Sequence, residues 1–492
     1  RVVRVVLENQ FSPWVSAKDV ILEMLRRLTV KGGLGKAFVF DGPGVATLSV
    51  AERATICNMI QELGATAGIF PADDRTREWL SAQQRAEDFR ELANDDGAPF
   101  DEEMVIDLAE LEPLIAKPRN PDNVVPVREI AGTKVAQVCV GSSVNSGYAD
   151  LAIPAYVVKE GGGVDEWLDM TVSPGSRQIL DAITRTGVLA DYVQSGARLL
   201  EPACGPCVGM GQAPPSGRPS VRTFNRNFQG RSGTVDDYVY LTSPATAGAT
   251  ALKGVITDPR ELDMEPPRVE EPPVHVNDSM LIFPPQPEDA RKTEIWRGPN
   301  IKPPPMPPEL PDALEGRVLI VLPDNISTGS MSPDGVIVMA ERSNIPAIAE
   351  YCFRKEDPQF VSRAKEWGGG YIVAGDNYGQ GSSREHAALA PLQLGVRAVF
   401  AKTIHRIHRR NLINNGIVPV LIDDEVYAKA VLGDRWRLPR IREELRSGSP
   451  TFTLDLDGST TQVSNDLGRH EREQILAGGL LRYLKERGGD AA

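Results

Sequence analysis

Two thiols stand three residues apart in Cys204-Gly205-Pro206-Cys207. Thiolates spaced this way across a tight turn can grip one metal centre, although two sulfurs rarely complete a site. A thioredoxin-like redox role needs the motif to open a helix soon after an N-terminal strand, which this context does not offer. Zinc needs two further ligands nearby, and none is visible in the flanking sequence. An iron–sulfur cluster needs at least one remote cysteine. The remaining cysteines, Cys57, Cys139 and Cys352, are too few and too scattered for a disulfide framework, which points to a reducing, cytoplasmic setting.

Other constellations carry charge rather than sulfur. Asn225-Arg226-Asn227-Phe228-Gln229-Gly230-Arg231 puts two guanidinium groups into one loop soon after the cysteine pair. In an acidic chain such a loop invites an oxyanion ligand, the plain alternative being surface ion pairs. Gly379-Gln380-Gly381-Ser382-Ser383-Arg384-Glu385-His386 sits between a strand-like and a helix-like segment. Free N–H groups at a helix start favour anions there, and Arg384 adds a fork suited to a carboxylate. A serine in that field is a candidate base or nucleophile, whereas a bland reading leaves a helix cap and a solvent-facing arginine. Asn58 and Glu62 are four apart and share a helix face, most simply a polar surface. The run Ile404–Arg410 is basic, but one short cluster in an acidic protein reads as a solvated face or an interdomain contact.

The elements that must hold these residues alternate between strand and helix. Ser16 precedes a helix with apolar Val20, Ile21, Met24, Leu25 and Leu28, followed by strand Ala37–Phe40. Ser49 with Glu52 forms a capping box for a helix ending near Gly64. Strand Val135–Val140 precedes a helix after Tyr148, strand Met170–Val172 runs through a Ser-Pro-Gly-Ser turn into another helix, and Ser243-Pro244 opens a helix through Leu252. Repeated strand–loop–helix units over 1–262 predict α/β architecture with parallel sheets. Residues 263–314 are dense in proline and lose apolar periodicity, as an extended linker does. Residues 315–492 read as a second α/β domain: strands Val318–Leu322, Tyr371–Ala374, Val396–Ala401 and Ile417–Ile422, with helices from Ser383 and over Thr403–Asn415.

At 492 residues the chain exceeds one hydrophobic core. Its net charge of −13 argues against general nucleic-acid or anionic-membrane binding, so positive charge for an anionic substrate must be gathered locally. No apolar run approaches a membrane span, and the start at Arg1 within an apolar segment reads as a truncated or processed N-terminus.

Taken together, these motifs closely resemble the aconitase family between Leu28 and Ile422. The resemblance is carried by Thr55-Ile56-Cys57-Asn58-Met59, Glu62-Leu63-Gly64-Ala65-Thr66, Cys204–Cys207, Asn225–Phe228 with Gly230-Arg231, and Gly381–His386. It implies αβα domains, a linker and a C-terminal swivel domain with the active site in the cleft between them. It also implies a hydro-lyase that isomerises a citrate-like tricarboxylate by dehydration and rehydration. A 4Fe–4S cluster with one cysteine-free iron would act as Lewis acid. Carried over residue by residue, Ser382 is the catalytic base, and Ser383 and Arg384 bind carboxylate. Arg226, Arg231 and Arg342 hold the remaining carboxylates, while Asn58 and Glu62 belong to the hydroxyl and cluster environment. Arg342-Ser343-Asn344-Ile345-Pro346 resembles aconitases more than isopropylmalate isomerases, which favours a citrate-like substrate.

The chain departs from the family at three places. The cluster ligands would be Cys204, Cys207 and a cysteine in a Gly-Ser-Cys-Thr-Asn-Ser turn, but here Ser143 occupies that position in Gly141–Ser146. A hydroxyl is a much weaker iron ligand than a thiol, so a conventional cluster should be weakened or lost, and Cys139 could substitute only if the turn were rebuilt. The family's Thr-Asp-His of the swivel domain reads Thr328-Gly329-Ser330 here, removing an acid/base pair. A preceding segment with further catalytic His and Asp residues is expected as a partner of this chain. The alternatives are a cluster-poor homologue acting on methylisocitrate or homoaconitate, and a non-catalytic RNA- or metabolite-binding relative.

Overall fold

The computed structural model describes residues 1–95, 97–333, 336–456 and 458–488. The chain divides into two units, Arg1–Phe283 and Pro284–Ala492.

The first unit is built on two sheets. Strands β1 (Val2–Glu8), β2 (Ala37–Asp41), β3 (Ala67–Ile69) and β4 (Glu102–Asp107) form a parallel sheet in the order β3-β2-β1-β4. Helix α1 (Ala17–Leu28) starts where Ser16 and Asp19 satisfy its first free N–H groups, and Val20, Ile21, Met24 and Leu25 are fully buried, as their period predicts. Helix α2 (Val50–Met59) carries the expected capping box: Ser49 Oγ accepts from Glu52 N at 3.3 Å, and Glu52 Oε2 accepts from Ser49 N at 2.8 Å. Its last turn tightens into a 3₁₀ segment, Ile60–Leu63, closed by Gly64 at a φ of +76°.

The second sheet contains β5 (Leu114–Ala116), β6 (Val124–Pro126), β7 (Gln137–Val140), β8 (Asp169–Val172), β9 (Arg198–Leu199), β10 (Pro219–Arg222) and β11 (Tyr238–Thr242). Their order is β6-β5-β11-β10-β7-β8-β9, with β11 to β9 parallel and β5 and β6 an antiparallel edge. Every residue of β7 is buried, as a parallel strand covered on both faces requires. Helices Tyr148–Glu160 and Pro244–Lys253 cover one face so closely that a Cβ on Gly248 would stand 2.9 Å from the Pro154 Cα. On the other face one continuous core joins Cys139, Phe224 and Val239 to α1 and the first sheet.

The second unit is a closed barrel, which the sequence pattern did not announce. Its strands are β12 (Leu314–Leu322), β13 (Gly370–Ala374), β14 (Val396–Ala401), β15 (Val418–Leu421), β16 (Arg435–Leu438), β17 (Thr451–Leu456) and β18 (Ser459–Ser464). The order is β12-β13-β14-β15-β18-β17-β16, and β16 pairs back onto β12. The first four strands are parallel, and the three C-terminal ones close the barrel antiparallel. Two helix starts differ from expectation. The helix expected from Ser383 begins at His386, because Gly379 and Gly381 hold φ values of +82° and +95° and keep the preceding residues in a turn. The helix expected from Thr403 begins at Arg406, because His405 N is committed to Tyr378 O at 2.8 Å. No helix among the described residues is long and apolar enough to cross a membrane.

Candidate functional site

In the first unit most candidate residues lie on loops leaving the carboxyl ends of parallel strands of the second sheet, where open α/β sheets place their ligands, while Asn58 and Glu62 lie on α2 and its 3₁₀ end. The Gly141–Gly147 turn follows β7, the Cys204–Cys207 turn follows β9, and the Thr223–Arg231 loop follows β10. β7 and β10 are adjacent and so bring the Gly141–Gly147 turn beside the Thr223–Arg231 loop, while β9 lies beyond β8 on the far side of β7.

Each loop is pinned from beneath. Thr223 N donates to Cys139 O at 3.1 Å, and Thr223 Oγ1 accepts from Gly141 N at 2.9 Å, which joins the ends of β10 and β7. Asn227 is buried and donates to Lys117 O (2.7 Å) and Val239 O (3.1 Å). Asp237 accepts from Gly230 N (2.8 Å) and Ser232 N (2.9 Å), fixing the turn that carries Arg231. Arg222, fully buried at the end of β10, donates to Pro206 O at 2.6 Å, the carbonyl between the two cysteines, and to Gln137 Oε1 at 2.8 Å.

Several residues that the sequence singled out one by one meet in the structure. Arg226 Nε donates to Glu62 Oε1 at 2.8 Å, with Glu62 only 7% exposed. Burial raises the Glu62 carboxyl above its ordinary range despite the opposing pull of Arg226, Arg231 and Lys18. This buried carboxyl therefore tolerates a proton more readily than an exposed one. Asn58 Nδ2 donates to Ser143 O at 3.2 Å, so α2 supports the turn carrying Ser143. Arg231 Nη2 donates to Cys207 Sγ at 3.7 Å, and the Cys207 thiol donates to Asn225 Oδ1 at 3.8 Å. Cys204 is exposed and Cys207 buried. Cys139 is a core group and Cys57 is half-buried: burial raises both thiols, that of Cys57 to about 11.

These donors do not make the three-thiolate cradle of a cluster with one open iron. Two thiols and the exposed hydroxyl of Ser143 are what the loops present. Among the described residues no group of three or more His, Cys, Asp or Glu side chains is gathered as a metal site requires.

The second unit presents its own set. Arg384 is buried and donates from Nη1 to Ser332 O at 2.7 Å, while Ser382 O accepts from Thr328 Oγ1 at 2.8 Å. Arg342 is tied to the same loop through its carbonyl, 2.8 Å from His386 Nε2. Ser383 is exposed beside them. The Thr328-Gly329-Ser330 turn lies against this loop, since a Cβ on Gly329 would stand 3.8 Å from Arg384 Nη1. Ser330 Oγ donates to Glu356 Oε1 at 2.5 Å. Beneath the loop, Gly379 packs so tightly on His408 that a Cβ would fall 2.3 Å from the ring. A hollow of about 470 Å³ bounded by Asp312, Arg440, Arg442 and Arg446 contains none of these residues.

Sequence reasoning missed the supports. Lys18, Arg222 and Asp237 carry the loops yet are buried. One signal was present: Lys18 is three, four and seven residues before Ile21, Leu22 and Leu25, hence on the apolar face of α1.

Residues 1–254 match the model of the aconitase family (aconitate hydratase), and residues 343–425 match the aconitase C-terminal domain. The chain is 41% identical over 259 residues to 3-isopropylmalate dehydratase large subunit 2 of Archaeoglobus fulgidus, covering 52% of this chain and 62% of that protein. It is 32% identical over 483 residues to mitochondrial aconitate hydratase of Candida albicans, covering 85% and 62% respectively. It is 27% identical over 551 residues to mitochondrial homoaconitase of Cryptococcus neoformans, covering 99% and 74%. The chain thus spans about three-fifths of the length of the first two relatives, 62% of each.

Proposed function

Because this chain belongs to the aconitase family, we propose that it is a hydro-lyase that isomerises a citrate-like hydroxy polycarboxylate by removing and re-adding water. The observation that carries the reading is the Arg226–Glu62 pair, a buried carboxyl inclined to hold a proton beside guanidinium groups that suit carboxylates. In this reading the family resemblance makes Arg226, Arg231, Arg342, Ser383 and Arg384 the residues that bind the substrate carboxylates. Ser382 Oγ takes the proton alpha to a carboxylate, its ionised form favoured by Arg384 and the start of the His386–Gln393 helix. Glu62 gives its proton to the departing hydroxyl, which leaves as water while the carbon–carbon double bond forms. Asn58 orients that hydroxyl. Rehydration runs the same transfers backwards.

A family 4Fe–4S cluster would supply Lewis-acid polarisation of the hydroxyl. Ser143 in the third ligand position favours a second reading, a cluster-poor homologue that keeps the polyacid site. The test is to assay the protein with citrate, isocitrate, homoaconitate and isopropylmalate, following absorbance of the unsaturated acid, before and after reconstitution with iron and sulfide. Turnover that appears only with stoichiometric iron supports the cluster-dependent reading, and turnover without iron supports the second. Failure to bind any of these acids in calorimetry overturns both.

A further inference from the structure

Lys18 is fully buried near the start of α1, yet among the described residues no carboxylate lies within ion-pair distance of its ammonium. It donates instead to Thr223 O at 2.8 Å, Phe224 O at 2.7 Å and Asn145 Oδ1 at 3.3 Å. The first two acceptors are the backbone immediately before Asn225-Arg226, and the third belongs to the turn carrying Ser143. Three acceptors match the three N–H donors of an ammonium, leaving none for a substrate.

The turn needs such a clamp. Gly141 has a φ of +133°, with Ser173 O only 2.3 Å from where a Cβ would be, and Ser142 is held at +73°. Backbone in these regions persists only when its surroundings over-determine it. The other clamps are Thr55 Oγ1 on Val144 O (3.0 Å), Asn58 on Ser143 O, and Asp150, which accepts from Asn145 Nδ2 at 3.0 Å and Gly147 N at 3.1 Å. Among the described residues of α1 and α2, only Lys18 grips this turn and the Arg226 loop at once, adding to the direct Thr223–Gly141 tie between them. Burial brings the Lys18 ammonium down to about 7, opposed by Asp150, Asp19 and Glu62, a range in which a lysine base would work. Its saturated geometry assigns it a different task.

We propose that Lys18 is a positioning residue: it locks the Gly141–Gly147 turn and the Thr223–Arg231 loop in one register and so sets the polycarboxylate affinity of the first unit. The affinity part rests on the function proposed above, whereas the locking part does not.

The test compares Lys18→Met with the wild-type chain by hydrogen exchange and by calorimetry with citrate and tricarballylate. The expected result is a cooperatively folded variant with faster exchange confined to 141–147 and 223–231, and affinity at least about tenfold weaker because misplaced anchors lose most of an oriented contact. Unchanged exchange in either segment, or affinity within twofold of wild type while both segments loosen, would overturn the proposal. Should Lys18→Met not fold, Asn145→Leu removes one of the three acceptors and must loosen both segments. No change there would overturn it equally. If the wild-type chain binds neither acid, the functional reading fails, and exchange alone still decides the locking role.

Discussion

At the residue scale the decisive question is what each buried charge has for a partner. Removing Arg226 leaves the Glu62 carboxyl only 7% exposed and without its strongest ligand, and breaking such a pair costs about 3–5 kcal/mol. Arg226→Ala should therefore lower the urea midpoint markedly and also weaken citrate binding. Glu62→Gln, which keeps an acceptor oxygen for Arg226, should spare stability but abolish turnover. A Glu62→Gln protein with wild-type rate would remove Glu62 from the proposed acid role. Ser143 gives the complementary experiment. Because the hydroxyl is exposed on a turn held by Asn58 and Thr55, Ser143→Cys changes the donor without changing the scaffold. It should raise the iron-to-protein ratio after reconstitution, and an unchanged ratio would show that the turn does not face the cysteine pair as a ligand must.

At the element scale the loop before His386 depends on the helix beneath it. Gly379→Ala combines a φ of +82° with a Cβ 2.3 Å from the His408 ring, whose own backbone is fixed in the Arg406–Asn414 helix. Its cost should be on the order of 1–3 kcal/mol, and the displaced Ser382–Arg384 turn should lower activity beyond that loss of stability. His408 also gives this element an acid sensitivity. Burial, with His405 adding to it, pushes the His408 imidazole down to about 3 from its ordinary 6.5. The unfolded chain takes up that proton near pH 6.5 and the folded chain does not, so stability is complete above 6.5 and falls as pH drops towards 3. Between pH 7 and pH 5 this amounts to about 2 kcal/mol. His408→Phe, which keeps a ring against Gly379 and Tyr378, should flatten that part of the urea midpoint against pH. Equal pH dependence in both proteins would place the sensitivity elsewhere.

At the scale of the whole molecule the net charge of −13 sets the terms for any polyanionic partner. Local arginines can hold a small polycarboxylate, but a nucleic acid would also meet the repulsive remainder of the surface. RNA binding in filter assays at physiological salt should be micromolar or weaker, and a tight, salt-sensitive complex would revive the binding-protein alternative.

The sequence by itself determined the α/β character, the order of the elements and the membership carried by Cys204–Cys207, Asn225–Arg231 and Gly381–His386. These are local matters: helix period, capping box and turn glycines act within a few residues, so they can be read off a linear chain. Helix starts were legible only where the cap was local, as at Ser49, and shifted where a distant strand claimed the backbone, as at His405. Only the tertiary structure decided that the second unit closes into a barrel, because the pairing of β16 with β12 joins segments far apart in the chain. It alone joined Arg226 to Glu62, placed Arg222 under the cysteine turn, and turned Lys18 from an apparent misfit on an apolar helix face into the support of two loops. A buried charge finds its partners across the core, and those partners follow strand order in space rather than order along the chain.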